Sequence, residues 1–353
     1  MSGLWPVNSF GRLWPSVTNR ASRLERAVTN ASAGDGSPAS LRLGYFSASV
    51  VSRLARDGGA YRRQNLDVAE HPVASSPDQF RALLDGDLDL VLTSPDNVAT
   101  YRCNGSNPLG RRADVRIVRA VDRGLGLSVL AVPEVRDLAG LRGATVAVDV
   151  PSSGFAFALY AVMATAGLRP GADYTVLTMG STPRRAEALR AGGCAATLLN
   201  AGHDVAAETA GCRRLARVVD VVGPYLGAVI AARGEWLDRH EQVARRFLHA
   251  WSEAAALVRD PEAAGAVTAA AAAVQPGPPE QVAAVVATLT SAREGITAAP
   301  EVDLAALRTV VDLRARFGGF DRDVDVPAVR DGGAGLIDPR YTTAVPAGSS
   351  DSV

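Results

Sequence analysis

From Leu41 onward, short apolar runs rich in β-branched residues alternate with stretches of helical character. This alternation is typical of α/β proteins, in which largely parallel strands are joined by helices. At 353 residues the chain exceeds one ordinary hydrophobic core, so two lobes are expected. After Trp236 the chain is predicted to be helical to about Phe317. Strands are predicted at 41–45, 67–73, 87–92, 115–121, 127–132, 145–150, 174–178, 195–199 and 226–232.

Two segments of the chain repeat the same order of helix, glycine and strand. Residues 82–94 read ALLDGDLDLVLTS, and residues 188–200 read ALRAGGCAATLLN. The repetition indicates two lobes of similar construction. Ser94 and Asn200 then follow equivalent strands, and ligands of open α/β sheets bind beyond such carboxyl ends. Two lobes that face each other would enclose a ligand in a cleft.

A strand hands over to a helix in the segment DVPSSGFAFAL, residues 149–159. Ser152 or Ser153 can cap one of the first N–H groups of that helix. The remaining N–H groups and the positive end of the helix dipole form a site for a carboxylate, sulfonate or phosphate. An ordinary capped helix start with no ligand is the alternative interpretation.

Composition excludes several classes of function. Lys+Arg and Asp+Glu both number 37, and this balance argues against a nucleic-acid partner. The sequence contains no lysine, which excludes a lysine Schiff base and covalently held pyridoxal phosphate. The cysteines and histidines lack metal-type spacing, so we expect no metal site and no cofactor. They are Cys103, Cys194, Cys212, His71, His203, His240 and His249.

The first forty residues bear on localisation. They contain no long apolar run, lipobox-like cysteine or twin-arginine pair, so residues 1–40 are interpreted as a loose leader and not as a signal peptide. As written, the chain is expected to be cytoplasmic, and extracytoplasmic only if the true start lies upstream. Residues 346–353 are expected to form a disordered tail, and the protein is expected to be a monomer.

Several segments together resemble the type II periplasmic binding protein fold. The chain is similar in particular to the NMT1/THI5-like group of ABC-transporter substrate-binding proteins, whose members bind sulfonates, nitrate, taurine and thiamine precursors. The segments are LRLGYFSA (41–48), RALLDGDLDLVLTSPDNV (81–98), GLRGATVAVDVPSSG (140–154), AGLRP (166–170), GPYLGAVIAARGEWLDRH (223–240) and GLIDPRY (335–341).

The resemblance implies an α/β protein with two lobes and a ligand cleft between them. On that template one lobe comprises 41–128 plus 226–345, and the other comprises 129–225. The chain would cross between them near 122–128 and 222–227. A small organic ligand, anionic or heteroaromatic, would bind in the cleft, with an ABC permease as a further partner if the protein is exported.

The candidate ligand-binding residues follow predicted strand ends or lie at the second crossing. Each has a structural alternative, such as core packing for Phe46, a helix cap for Asp96 or a structural role for His203. The candidates are Tyr45, Phe46, Ser47, Ser94, Asp96, Asn97, Ser152, Ser153, Gly154, Asn200, His203 and Tyr225.

Two functions remain open at this stage. The first is a solute-binding protein that closes over its ligand without chemistry. The second is a cytoplasmic enzyme on the same fold, carrying out cofactor-independent lyase, dehydratase or decarboxylase chemistry on a small acid. His203, Asp96 and Tyr225 would then be its proton-transfer groups. No strong catalytic motif chooses between the two functions.

Overall fold

The computed structural model describes residues 37–342, 344 and 345. Positions 1–36 of the predicted leader and the whole predicted tail lie outside the described residues. The first strand begins at Ala39, so residues 39 and 40 belong to the sheet and not to a leader. Within the described part of the chain, no helix is long and apolar enough to cross a membrane.

The first sheet has five strands in the order β2-β1-β3-β10-β4. Strand β1 pairs in parallel with β2 and β3, whereas β10 is antiparallel to both β3 and β4. The strands are β1 (Ala39–Tyr45), β2 (Leu66–Pro72), β3 (Leu90–Thr93), β4 (Val115–Asp122) and β10 (Ala228–Arg233).

The second sheet has the same construction, with the order β7-β6-β8-β5-β9. Strand β6 is parallel to β7 and β8, and β5 is antiparallel to β8 and β9. Its strands are β5 (Ser128–Ala131), β6 (Thr145–Val148), β7 (Thr175–Thr178), β8 (Ala196–Leu199) and β9 (Arg213–Arg217). Strand β9 was not predicted, because its sequence RRLAR carries three arginines at a sheet edge. A short pair, β11 (Val302–Asp303) with β12 (Ala344–Val345), completes the strands described.

Helices connect the strands and cover the sheets, as the alternating pattern predicts. The N-cap of α3 is Ser75, and α3 ends at Gly86 in the left-handed conformation. The helices are α1 (Val50–Asp57), α2 (Ala60–Arg63), α3 (Ser76–Asp85), α4 (Pro95–Cys103), α5 (Gly154–Thr165), α6 (Thr182–Arg190), α7 (His203–Thr209), α8 (Val218–Val222), α9 (Gly234–Arg239), α10 (Glu241–Leu257), α11 (Ala264–Val274), α12 (Pro279–Thr290), α13 (Leu304–Arg316) and α14 (Val326–Arg330).

The chain passes between the two sheets at 123–127 and 223–227. These segments lie within the two predicted crossings. They run side by side, since the Gly227 N–H donates to the Asp122 carbonyl at 3.0 Å. Strand β5 follows the first crossing and pairs antiparallel with β8. Strand β10 follows the second crossing and pairs antiparallel with β3. Two sheets of equal construction are thus joined by a double hinge.

A second connection between the lobes is apolar. Helix α13 follows the strands of the first sheet in sequence, yet it packs on α5, which follows β6 of the second sheet. The rings of Phe157 and Phe317 stack at 5.9 Å, and Tyr160 meets Phe317 edge-on at 5.6 Å. Aromatic contacts of this kind add to the stability from buried area. The contact holds the start of α5 in a defined position against the first lobe.

Candidate ligand-binding cavity

A cavity of about 130 Å³ lies between the two sheets. Its wall includes strand ends, helix starts and crossing residues from both lobes. One water needs about 10–15 Å³ of such space, so the cavity has room for a small organic molecule.

Five helix starts with a serine at the N-cap contribute to the cavity wall, those of α1, α3, α4, α5 and α6. Four of them have an N-cap serine whose hydroxyl accepts a bond from the N–H three residues later. The bonds are Ser49 with Ser52 (3.3 Å), Ser75 with Asp78 (3.3 Å), Ser94 with Asn97 (3.1 Å) and Ser153 with Ala156 (3.0 Å). Other N–H groups of a first helical turn have no intrahelical acceptor. The wall therefore offers hydrogen-bond donors and the positive ends of several helix dipoles.

The start of α6 differs from the other four. Its cap, Ser181, makes no side-chain cap bond, and the Ser181 N–H donates to the Ala74 carbonyl of the first lobe at 3.2 Å. This bond joins the two lobes at the cavity. Ser181 lies in the wall, and its hydroxyl is not used as a cap.

Ser153 connects the start of α5 to an acid in the cavity wall. Its hydroxyl donates to Asp149 while it accepts from the Ala156 N–H. Loss of hydration raises the pKa of the Asp149 carboxyl, and the charge of Arg185 and the Ser153 hydroxyl act in the opposite direction. The hydroxyl of Ser153 therefore has both a donor and an acceptor role within the protein.

Arg185 is the only cationic side chain among the described residues of the wall. It is 2% exposed, and its terminal nitrogens donate to Gly180 and Leu198 carbonyls and to the Thr182 hydroxyl. Its Nε has no partner among the described residues. Burial lowers the pKa of the guanidinium, which nevertheless stays charged because its ordinary pKa is so high. Arg185 places a positive charge beside the starts of α5 and α6.

Asp122 is a second acid in the wall, at the end of β4. It is 2% exposed, and its Oδ1 accepts from the Gly124 N–H at 2.7 Å. Burial raises the pKa of the carboxyl to about 7. Gly227 must be a glycine here, because a Cβ would lie 2.1 Å from Asp122 Oδ1.

Apolar groups make up much of the remaining wall. Phe46 and Phe155 contribute aromatic rings, and Leu92, Val121, Leu289 and Ile296 contribute aliphatic side chains. Ligand sites commonly combine an apolar wall with a few placed polar groups. The cavity suits a small molecule with one polar end and a short carbon skeleton.

Seven of the twelve predicted ligand-binding residues are brought together in the wall. The structure places their side chains or backbone in one cavity although they come from four separate loops. They are Phe46, Ser47, Ser94, Asn97, Ser153, Gly154 and Asn200.

Asp96, which was predicted to bind the ligand, lies outside the cavity wall. It is 1% exposed and forms a bidentate ion pair with Arg314, at 2.6 and 2.7 Å. The side chain of Asp96 also explains Gly154, because a Cβ at 154 would lie 2.5 Å from the Asp96 Cβ. Asp96 is therefore a packed, neutralised partner of α13 that does not line the cavity.

The other four predicted residues also lie outside the cavity wall. Tyr225 is buried, and burial raises the pKa of its hydroxyl far above the usual range. The His203 Nε2 lies 3.1 Å from the Gln275 amide nitrogen, and burial lowers the pKa of His203 to about 4. Tyr45 is half-buried at the end of β1. Ser152 is exposed, and its carbonyl accepts from Arg314 at 2.8 Å.

Sequence reasoning missed Arg185, Asp122, Asp149, Ser75 and Ser181. Arg185 follows another arginine in a helix, a pattern that usually indicates a solvated face. Asp149 could have been found, because it lies near the end of the predicted strand, four residues before the cap Ser153, and a side chain there reaches the cap. Asp122 gave no signal beyond its place at the end of a predicted strand.

Comparisons with known proteins agree with this architecture. The sequence model of the NMT1-like family matches residues 34–275. The alkanesulfonate-binding protein SsuA from Xanthomonas axonopodis pv. citri, bound to MOPS, is 18% identical over 88% of this chain and 99% of that chain, with a TM-score of 0.66. No curated protein sequence matches the chain.

Two further solved structures share the fold. The periplasmic aliphatic sulphonate binding protein SsuA from Escherichia coli is 21% identical, over 82% of this chain and 91% of that one, with a TM-score of 0.61. The periplasmic nitrate-binding protein NrtA from Synechocystis PCC 6803 is 14% identical, over 84% and 86%, with a TM-score of 0.69. The predicted two-lobed α/β fold is confirmed by these likenesses.

Proposed function

Because the chain belongs to the NMT1-like family, we propose that it binds a small organic ligand in the cavity between its two lobes. The observation that carries the proposal is the meeting of five helix starts at one cavity. Backbone N–H groups at helix starts bind carboxylate, sulfonate or phosphate groups. The apolar part of the wall would hold the carbon skeleton of the same ligand.

The lobes in this proposal are 41–128 plus 226–345 and 129–225. Binding would hold them together, since each lobe supplies part of the wall. The lobes already meet through Ser181 and Ala74, through Arg314 and the Ser152 carbonyl, and through the crossings. A ligand between them adds contacts that only the closed arrangement provides.

Solved proteins of this fold are named as periplasmic binding proteins for a sulphonate and for nitrate. By analogy, we propose that this chain acts as a substrate-binding component, with an ABC permease as its partner. The enzyme alternative lacks support from the geometry. Asp96 and Tyr225 lie outside the cavity, and His203 is held by Gln275.

The proposal is tested by thermal shift and calorimetric titration of the full chain with a panel of small sulfonates, carboxylates, nitrate and pyrimidines. The informative variant is Ser181→Leu. It adds a bulky group to the wall and removes no cap bond, since the Ser181 hydroxyl makes none. We expect Ser181→Leu to lower the affinity for the tightest-binding compound of the panel by more than about tenfold, which corresponds to about 1.4 kcal/mol of binding free energy.

A matched control is Ser40→Leu, which makes the same change at an exposed position of β1 outside the cavity wall. This variant should keep the parent affinity. Equal affinity of Ser181→Leu and the parent would show that the ligand binds elsewhere. A panel in which no compound raises the melting temperature or releases heat would contradict the proposed ligand class.

A further inference from the structure

Acidic side chains outnumber basic ones in the described part of the cavity wall. The ionisable groups there are Asp122, Asp149 and Arg185. A cavity built only for a simple anion would gain from the opposite balance, since a like charge at close range is repulsive. The helix starts attract negative charge, so the wall presents both signs of potential to a ligand.

Asp149 has compensation within the protein. It accepts a bond from Ser153 at the start of α5, and the charge of Arg185 stabilises its ionised form. A carboxylate beside a helix start is favoured by the helix dipole as well. Asp149 therefore needs no ligand cation.

Asp122 lacks such compensation. It lies at the end of β4, where the chain enters the first crossing and no helix begins. Within residues 37–342, no arginine or histidine lies within ion-pair distance of its carboxyl, whose partners are the N–H groups of Gly124 and Ala228. An ionised carboxylate buried without a cation carries a large desolvation cost.

The wall around Asp122 strengthens this point. Val121, Leu125 and Ile296 line the cavity beside it, and apolar surroundings make any charge pair formed there stronger. None of the described wall residues places a cation at this carboxyl, so a bound molecule can supply the positive charge from the cavity side.

We propose that the ligand carries a cationic nitrogen with N–H groups, such as an ammonium or amidinium, which donates to the Asp122 carboxylate. The inference rests on the proposed function. The other end of the ligand is the acidic or strongly polar group held by the helix starts. The substrate class is thus a small dipolar molecule, and Asp122 is the residue that selects the amine.

The test uses pairs of compounds that differ only in an amino group. The pairs are 2-aminoethanesulfonate with ethanesulfonate and 3-aminopropanoate with propanoate. Titration calorimetry of the full chain should give at least about tenfold tighter binding for the amino member of one pair, because a charge-assisted hydrogen bond replaces an unpaired buried carboxyl. Ethylammonium alone should bind weakly, since it lacks the group for the helix starts.

The variant Asp122→Asn tests whether the charge of Asp122 causes the preference for the amino compound. It keeps an acceptor for the Gly124 N–H and removes the charge, so the preference for the amino member should fall below about threefold while the amine-free member binds as well or better. The matched control Asp87→Asn changes an exposed acid outside the wall and should preserve the preference.

Each result has a distinct meaning. Equal affinity within both pairs for the parent protein, or an unchanged preference in Asp122→Asn, would overturn the role of Asp122 and leave the proposed function standing. The first comparison needs no variant, so it holds even if Asp122→Asn does not fold. If none of these compounds binds, and no compound of the panel under the proposed function binds either, the proposed function and the inference are both overturned.

Discussion

Single side chains at the cavity carry more than one task. Ser153 caps α5 through its acceptor oxygen and donates its proton to Asp149. Both capacities of the hydroxyl are used inside the protein. We therefore expect the neighbouring backbone N–H groups, and not this hydroxyl, to donate hydrogen bonds to a ligand.

Replacement of Ser153 by alanine or glycine tests that division of roles. Alanine at an N-cap costs roughly 0.5–2 kcal/mol, whereas glycine costs only a few tenths. We expect Ser153→Ala to lower the free energy of unfolding by about 1 kcal/mol more than Ser153→Gly, measured by urea denaturation. Ligand affinity of Ser153→Gly should stay within about threefold of the parent, because we expect no hydrogen bond between this hydroxyl and the ligand. Loss of such a bond would cost about 0.5–1.5 kcal/mol of binding free energy. Equal stabilities of the two variants would show that the cap does not hold α5.

Between elements, Arg314 is the main polar connection. It extends from α13 to Asp96 on α4 and donates to the Ser152 carbonyl just before α5. Its guanidinium also lies over the rings of Phe157 and Phe320, at 5.1 and 5.6 Å. One side chain thus ties a helix of the first lobe to the helix start of the second that lines the cavity.

The variant Arg314→Met should be strongly destabilising. It leaves the Asp96 carboxylate buried without its cation, for which about 3–5 kcal/mol is typical. Chemical denaturation monitored by circular dichroism measures the loss. The control is Arg308→Met on the same helix, where an exposed pair with Asp331 at 2.7 Å is worth at most about 1 kcal/mol. A loss below about 1 kcal/mol for Arg314→Met would mean that Asp96 takes up a proton or finds other partners.

At the scale of the whole molecule, the hinge contains an acid that binds its proton more tightly when folded. Burial raises the pKa of Asp122 to about 7, against 3.8 for the ordinary group. Such a group stabilises the fold fully below pH 4. The contribution declines as pH rises toward the folded-state pKa and is lost above it.

We therefore expect stability to fall between pH 5 and 8 by an amount to which Asp122 contributes roughly 2–4 kcal/mol. Asp204, whose pKa burial raises to about 6, acts in the same direction. The measurement is the free energy of unfolding of the parent and of Asp122→Asn without ligand across this range. The parent should lose more stability than the variant, and parallel curves would show that Asp122 ionises without cost.

Much of the fold and part of the site could be predicted from local sequence. Alternating apolar runs indicated the strands of both sheets except β9, because three of the five residues of β9 are arginines and form no apolar run. Ser94 and Ser153 cap helices because a serine before a helical run satisfies N–H groups within three residues. Seven predicted residues consequently lie in the cavity wall. Periodicity, caps and stops depend on near neighbours, so the sequence by itself determined them.

Burial and pairing were decided only by the tertiary structure. Asp96 followed a strand end like the true wall residues, yet its partner Arg314 lies 218 positions away in the chain. Arg185 resembled a solvated helix residue but is enclosed by Gly180 and Leu198, and Asp122 gained its raised pKa from apolar neighbours on other segments. The free energy of a charge depends on its distance from water and from other charges, and folding sets both distances through contacts that no local pattern records.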